Sequence, residues 1–233
     1  MSGTARRRTS WLRQARLVLE KDIRAELATG EVLITAGFVA VLLVVVASFA
    51  FRAGPEAGVR VAPGVIWVAV AFASVLALSR AWQRERENDA LAGLLVMPIA
   101  RSAIFAGKAL GLVLFLAAIE LLVVPTAALL FDLPLGRLGP GLFLLCAAAT
   151  PGIAASGTLF GAMTVRTRAR DLVLAGVLFP LLAPALLAAV AGTRELCSGA
   201  TVGELADYLE LMVLFALLFV AGGVGLFGLL VDE

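Results

Sequence analysis

The sequence predicts an all-α membrane protein with six transmembrane helices, an N-terminal interfacial helix and a short cytosolic helix between spans two and three. Three observations predict it. Hydrophobic residues make up 61% of the 233-residue chain and mean hydropathy is +1.02, well above the roughly 45–50% apolar usage of soluble domains. The apolar residues come in blocks, each close to or above the roughly 20 residues that a helix needs to cross about 30 Å of hydrocarbon. Lys and Arg alternate in abundance between the polar segments. Fifteen lie before the first block, between blocks two and three, and between blocks four and five, against 4 in the remaining segments. The positive-inside rule then places both termini in the cytosol.

Residues 1–31 form a tail and a surface helix ahead of the six-span region 32–233. MSGTARRR reads as an unstructured leader. Thr9 or Ser10 can then cap a helix that gathers Trp11, Leu12, Ala15, Val18, Leu19, Ile23 and Leu27 mainly on one face. Leu17 and Glu26 break that stripe. An interfacial helix with its cations toward anionic lipid is the natural reading, a solvated basic leader the plainer one. No cleavable signal peptide is expected, because apolar sequence begins only at Val32, behind seven cations and four acids.

The spans read as Val32–Phe51, Ala62–Leu78, Ala109–Leu130, Leu138–Val165, Leu172–Ala191 and Leu209–Val231. Arg52–Val61 reads as a short outer turn, with Pro63 in the first turn of span two, where its missing N–H does no harm. Trp67 falls near the outer interface, and Trp11 and Trp82 near the inner one. Pro151 predicts a kink in span four, and Pro180 with Pro184 a broken span five that ends in a re-entrant element before the outer segment Gly192–Tyr208. The spacings Gly107-xxx-Gly111 and Gly157-xxx-Gly161 allow close helix contacts and read as packing.

The one long polar break is the inner hairpin 80–108. Arg84, Glu85, Arg86 and Glu87 form a charged run, Asn88 or Asp89 can cap a short helix, and Leu91, Leu94 and Leu95 share one of its faces before Pro98 ends it. Ser102 can cap the next span. Such a helix either inserts into a groove of a soluble ATPase or anchors the loop at the interface. A second inner loop sets Arg166, Arg168 and Arg170 at alternate positions, which usually means topology and lipid headgroups, with a second partner contact as the sharper reading.

The chemistry is sparse. The chain holds no histidine, which removes a common haem ligand, zinc ligand and general base. Gly107-Lys108 lacks the other residues of a phosphate-binding loop, and no nucleophile elbow or metal-ligand spacing occurs. The chain therefore reads as non-catalytic. Cys146 and Cys197 sit in no metal spacing, and free thiols are the simpler expectation over a disulfide. Glu120 lies near the middle of span three with no cation at similar depth. It is either neutral and bonded to a neighbouring helix or paired within a complex.

In their order and spacing, Leu19-Glu20-Lys21-Asp22-Ile23-Arg24, Ala62-Pro63-Gly64-Val65-Ile66-Trp67, Arg84-Glu85-Arg86-Glu87 through Leu94-Leu95 and Pro98 to Arg101-Ser102-Ala103-Ile104-Phe105, Gly157-Thr158-Leu159-Phe160, Thr167-Arg168-Ala169-Arg170 and Leu178-Phe179-Pro180-Leu181 resemble the cytochrome c maturation permease family CcmB, or haem exporter protein B. The resemblance covers nearly the whole chain. It implies an ABC exporter-like permease with Asp89–Val96 as the coupling helix, in the bacterial inner membrane. It also implies a separate ATPase subunit carrying ATP and Mg, a haem-handling membrane subunit, a small accessory subunit and two copies of this chain. No cofactor is expected on this chain itself and no nucleic acid as partner. ATP hydrolysis would drive haem export or release of a haem-loaded chaperone. The alternatives are a permease of the same build for a lipid or drug, and a scaffold that transports nothing. The chain departs from the family pattern at Ala90, Ala92 and Ala100, where relatives often carry Gly or acidic residues.

Overall fold

The computed structural model describes residues 10–51, 55–87, 93–94, 96–164 and 170–232, without the side chains of 55–56, 86–87, 164, 170–175 and 231–232. Seven α-helices account for nearly all of them: α1 (Trp11–Thr29), α2 (Glu31–Ala50), α3 (Pro55–Glu87), α4 (Arg101–Leu130), α5 (Leu135–Thr164), α6 (Arg170–Ser198) and α7 (Ala206–Asp232). A single 3-10 turn, Val202–Leu205, precedes α7. No strand occurs among the described residues. The last six helices are each long and apolar enough to cross a membrane.

α4 sits at the centre, against α1, α2, α3, α5 and α7. The buried faces are built from small residues, as helix packing in lipid requires. Ala62, Ala69, Ala73 and Ala77 line one side of α3 with no exposed surface. A Cβ on Gly157 or Gly161 of α5 would collide with Leu78 or with the Trp82 indole of α3. α7 is the opposite case, with Leu214, Leu217, Leu218 and Leu229 turned outward.

Several helix ends differ from the sequence expectation. α3 starts at Pro55, seven residues before Ala62, so the supposed outer turn is largely helix and Pro63 lies inside it. A proline in the first turn loses no hydrogen bond, and Pro55 takes that place. At the other end α3 runs through the charged run to Glu87. At 1.5 Å per residue it is about 50 Å long, so roughly 20 Å extends beyond a hydrocarbon core. Charged residues end a span without ending its helix.

α5 and α6 continue through Pro151, Pro180 and Pro184; each proline removes one rung, and the neighbouring helices hold the rest. α6 contains no re-entrant break and extends to Ser198, where Gly199 takes φ +104 and turns the chain. Cys197 is therefore helical, and both cysteines are free. Trp67 does not face the lipid interface. It is 1% exposed, and its Nε1 donates to Thr193 Oγ1 at 2.9 Å, since a buried indole N–H needs an acceptor.

Candidate functional site

α1 packs along α4 at the end where α3 leaves the bundle. The approach is close because the facing residues are small: a Cβ on Gly107 would lie 2.6 Å from the Ala15 carbonyl oxygen and 2.6 Å from Val18 Cβ. Two side chains of α1 fasten the start of α4. Trp11 Nε1 donates to Ser102 Oγ at 2.9 Å, and Gln14 Oε1 accepts the Ala100 N–H at 2.9 Å. Ser102 is thus an acceptor for tryptophan rather than a cap, and Ala100 holds the N-cap position. Ser10 occupies the N-cap of α1 but makes no side-chain capping bond. The inward face of α1 is Ala15, Val18 and Glu26, whereas Trp11, Leu12 and Leu27 are exposed.

Glu26 explains its own break in the apolar stripe. It is 2% exposed, and its carboxylate has three partners on two elements. Arg84 donates to Oε2 at 2.6 Å, while the N–H groups of Leu33 and Val32 donate to Oε1 and Oε2 at 2.8 and 3.3 Å. The Val32 and Leu33 donors belong to the first turn of α2, which has no helical acceptors of its own. Between the two helices Gly30 takes φ +65, and its N–H donates to the Glu26 carbonyl at 2.6 Å. One residue therefore ends α1, starts α2 and holds α3.

A second group of charges lies one turn away. Lys108 of α4, 8% exposed, bonds Glu85 at 2.8 Å and reaches Asp22 at 3.6 Å. Its ammonium also sits 5.2 Å from the centre of the Trp82 ring, within cation–π range. Lys21 bridges Glu85 and Asp22. Burial alone would lower the Lys21 pKa, but Asp22 and Glu85 outweigh it and hold it above the usual 10.5. Arg80 and Glu31 add an outer pair at 3.4 Å. Cations and anions alternate across four helices, so removing one member upsets the charge balance of a buried group. The arrangement carries no nucleophile–base pair. It ties α1 to the ends of α3 and α4 through buried ion pairs.

Of the residues singled out from sequence, Arg84 and Glu85 belong to this clamp rather than to a loop. Asp89, Leu91, Leu95, Arg166 and Arg168 lie outside the described residues, as do the side chains of Arg86, Glu87 and Arg170. Leu94 is 5% exposed and joins the chain's own core, while Val96 is 89% exposed and Met97 and Pro98 are also exposed. Among the described residues of the hairpin, Leu94 therefore faces inward and Val96 outward. Glu120 is buried on α4 and accepts a 2.6 Å hydrogen bond from Thr150 Oγ1 of α5. Sequence reasoning missed the clamp roles of Lys21, Asp22, Glu26 and Lys108. The available signal was an acid on an apolar stripe and a lone lysine at the start of an apolar block.

Lys21, Asp22, Arg84 and Glu85 of the clamp fall on stretches that carried the family resemblance, whereas Glu26 and Lys108 lie just outside them. The model of the family described as CcmB protein matches residues 13–228. The chain is 32% identical over 184 residues to a protein of Rhodobacter capsulatus named Heme exporter protein B, covering 74% of this chain and 78% of that one. It is 31% identical over 163 residues to the Paracoccus denitrificans protein of the same name, covering 69% and 74%. The Pseudomonas aeruginosa protein of that name is 29% identical over 177 residues, covering 75% and 74%. With six apolar helices and a family match over nearly its whole length, this multi-pass membrane chain belongs to the CcmB protein family.

Proposed function

We propose that the chain is the non-catalytic permease subunit of an ABC complex serving haem export and c-type cytochrome maturation. It lies in a bacterial inner membrane with both termini in the cytosol. A separate ATPase subunit binds ATP and Mg and docks on the tip of the hairpin at residues 88–98. Its movement passes through the charged clamp into α1, α3 and α4, and drives haem export or release of a haem-loaded chaperone. A haem-handling membrane subunit and a small accessory subunit complete the complex, with two copies of this chain. The relatives named Heme exporter protein B support the pathway. The observation that carries the mechanical reading is the clamp, because a tip displaced by a partner moves the membrane helices only if its base is rigid.

Val96→Asp tests the docking. Leu94→Asp would damage the chain's own core, whereas Val96 is almost fully exposed. The variant should insert normally, lose ATPase co-purification and fail to support c-type cytochromes in a deletion strain. Normal ATPase binding and normal cytochromes would overturn the reading. A hydrolysis-dead ATPase that still supports cytochrome assembly would favour a scaffold, and absence of the haem-handling subunit after mild extraction would favour another substrate.

A further inference from the structure

The cleft between α4 and α5 holds polar groups that the proposed function does not use. Its volume is ≈ 600 Å³, and most of its wall is apolar. Leu121 and Phe143 at its lip are 75% and 74% exposed, so it opens sideways, toward lipid. Glu120 lines it at about 18 Å along α4 from Lys108 and about 15 Å from Leu130, near mid-bilayer depth. Thr150 donates to this carboxylate at 2.6 Å, and the Cys146 thiol is its second donor. Both donors are neutral, and no Lys or Arg pairs with Glu120 among the described residues.

Two prolines add acceptors. Pro125 and Pro151 sit inside α4 and α5 and both line the cleft. Having no N–H, they leave the carbonyls of Leu121 and Ala147, four residues back, without their helical donors. Both of those residues line the cleft too. The Thr126 hydroxyl donates to Leu122 instead. The Glu120–Thr150 bond sets the two helices level, which brings both carbonyls within about a turn of the carboxylate. The Glu120 carboxylate is the charged acceptor of the cleft, and its two side-chain donors are both neutral. Lipid tails supply no donor, and a free ion does not enter hydrocarbon; intramembrane charges pair with one another.

We propose that this cleft is the docking site for a membrane-spanning helix of another chain, which brings one basic side chain to Glu120. A second copy of this chain is a poor occupant, because a twofold contact here would set Glu120 against its own image. The inference stands on different residues from the ATPase docking and survives its failure.

The test places a photo-crosslinking amino acid at position 143 in membranes that hold the full complex, combined with Glu120→Gln. The glutamine keeps an acceptor for Thr150, and thermal melting of the variant chain checks its folding. The crosslink should fall on a span of a different chain, within a helical turn of a Lys, Arg or His. Glu120→Gln should lower recovery of that chain roughly tenfold or more while ATPase recovery stays unchanged. Neutralising the basic residue should cause the same loss and add nothing to Glu120→Gln. Crosslinks to a second copy or to lipid alone, a captured span without a basic residue, or full recovery with Glu120→Gln would each overturn the proposal.

Discussion

Replacing Glu26 by alanine tests the clamp at its most connected point. The change removes one anionic partner of Arg84, whose side chain is 17% exposed, and the acceptor for two N–H groups at the start of α2. Breaking a buried ion pair costs about 3–5 kcal/mol, and losing a helix cap about 0.5–2 kcal/mol. Arg84 retains some contact with water, and the two losses share one carboxylate, so they do not add. A total of about 3 kcal/mol follows. For a chain of this size that lowers Tm by about 6–12 °C, measured by fluorescence-detected size exclusion of heated detergent samples. Glu26→Gln keeps one acceptor oxygen for the α2 N–H groups and loses the charge and the second oxygen, so it should fall between wild type and Glu26→Ala. Glu20→Ala is the control: its partner Arg16 is 77% exposed, and exposed pairs are worth about 0–1 kcal/mol. Glu26→Ala melting together with Glu20→Ala would refute the reasoning.

Gly107→Ala should push α1 off α4 and cost about 1–3 kcal/mol, because the new methyl meets a backbone oxygen at 2.6 Å. Gly111→Ala should be near neutral in the same melting assay, since its closest neighbour is a Leu19 methyl at 3.6 Å. Lys21 has a raised pKa in the folded chain, so its contribution is complete below the unfolded value and fades only as pH rises past 10.5. The gap in thermal stability between wild type and Lys21→Met should therefore stay constant from neutral pH up to 10.5, where both carboxylate partners are ionised. A gap that changes near neutral pH would contradict the pairing with Asp22 and Glu85.

Hydropathy made the six spans legible, because lipid leaves the backbone no alternative to helix. It did not show where the helices stop. Arg84–Glu87 looked like loop by composition, yet a helix tolerates charge once it leaves the hydrocarbon, and α3 carries the run outward. Pro63 looked like a helix start, but Pro55 was equally suited and came first. The small-residue spacings were legible as packing, and Gly107, Gly157 and Gly161 each meet a neighbouring helix too closely for a side chain. The clamp was legible only in fragments. Glu26 and Arg84 are 58 residues apart and Lys21 and Glu85 64, and nothing local in one sequence pairs them. Glu26 on its apolar stripe and Lys108 at the start of an apolar block were the visible clues. Leu94 and Val96 differ in role because the fold buries one and not the other, which a two-residue spacing cannot reveal.

Membrane-impermeant thiol labelling of Val96→Cys, in a background without Cys146 and Cys197, tests most directly whether the hairpin tip faces an ATPase in the cytosol. The account expects labelling in inside-out vesicles only, with protection when the ATPase subunit is bound. Labelling of intact spheroplasts from the periplasmic side, or labelling that bound ATPase leaves unchanged, would contradict it.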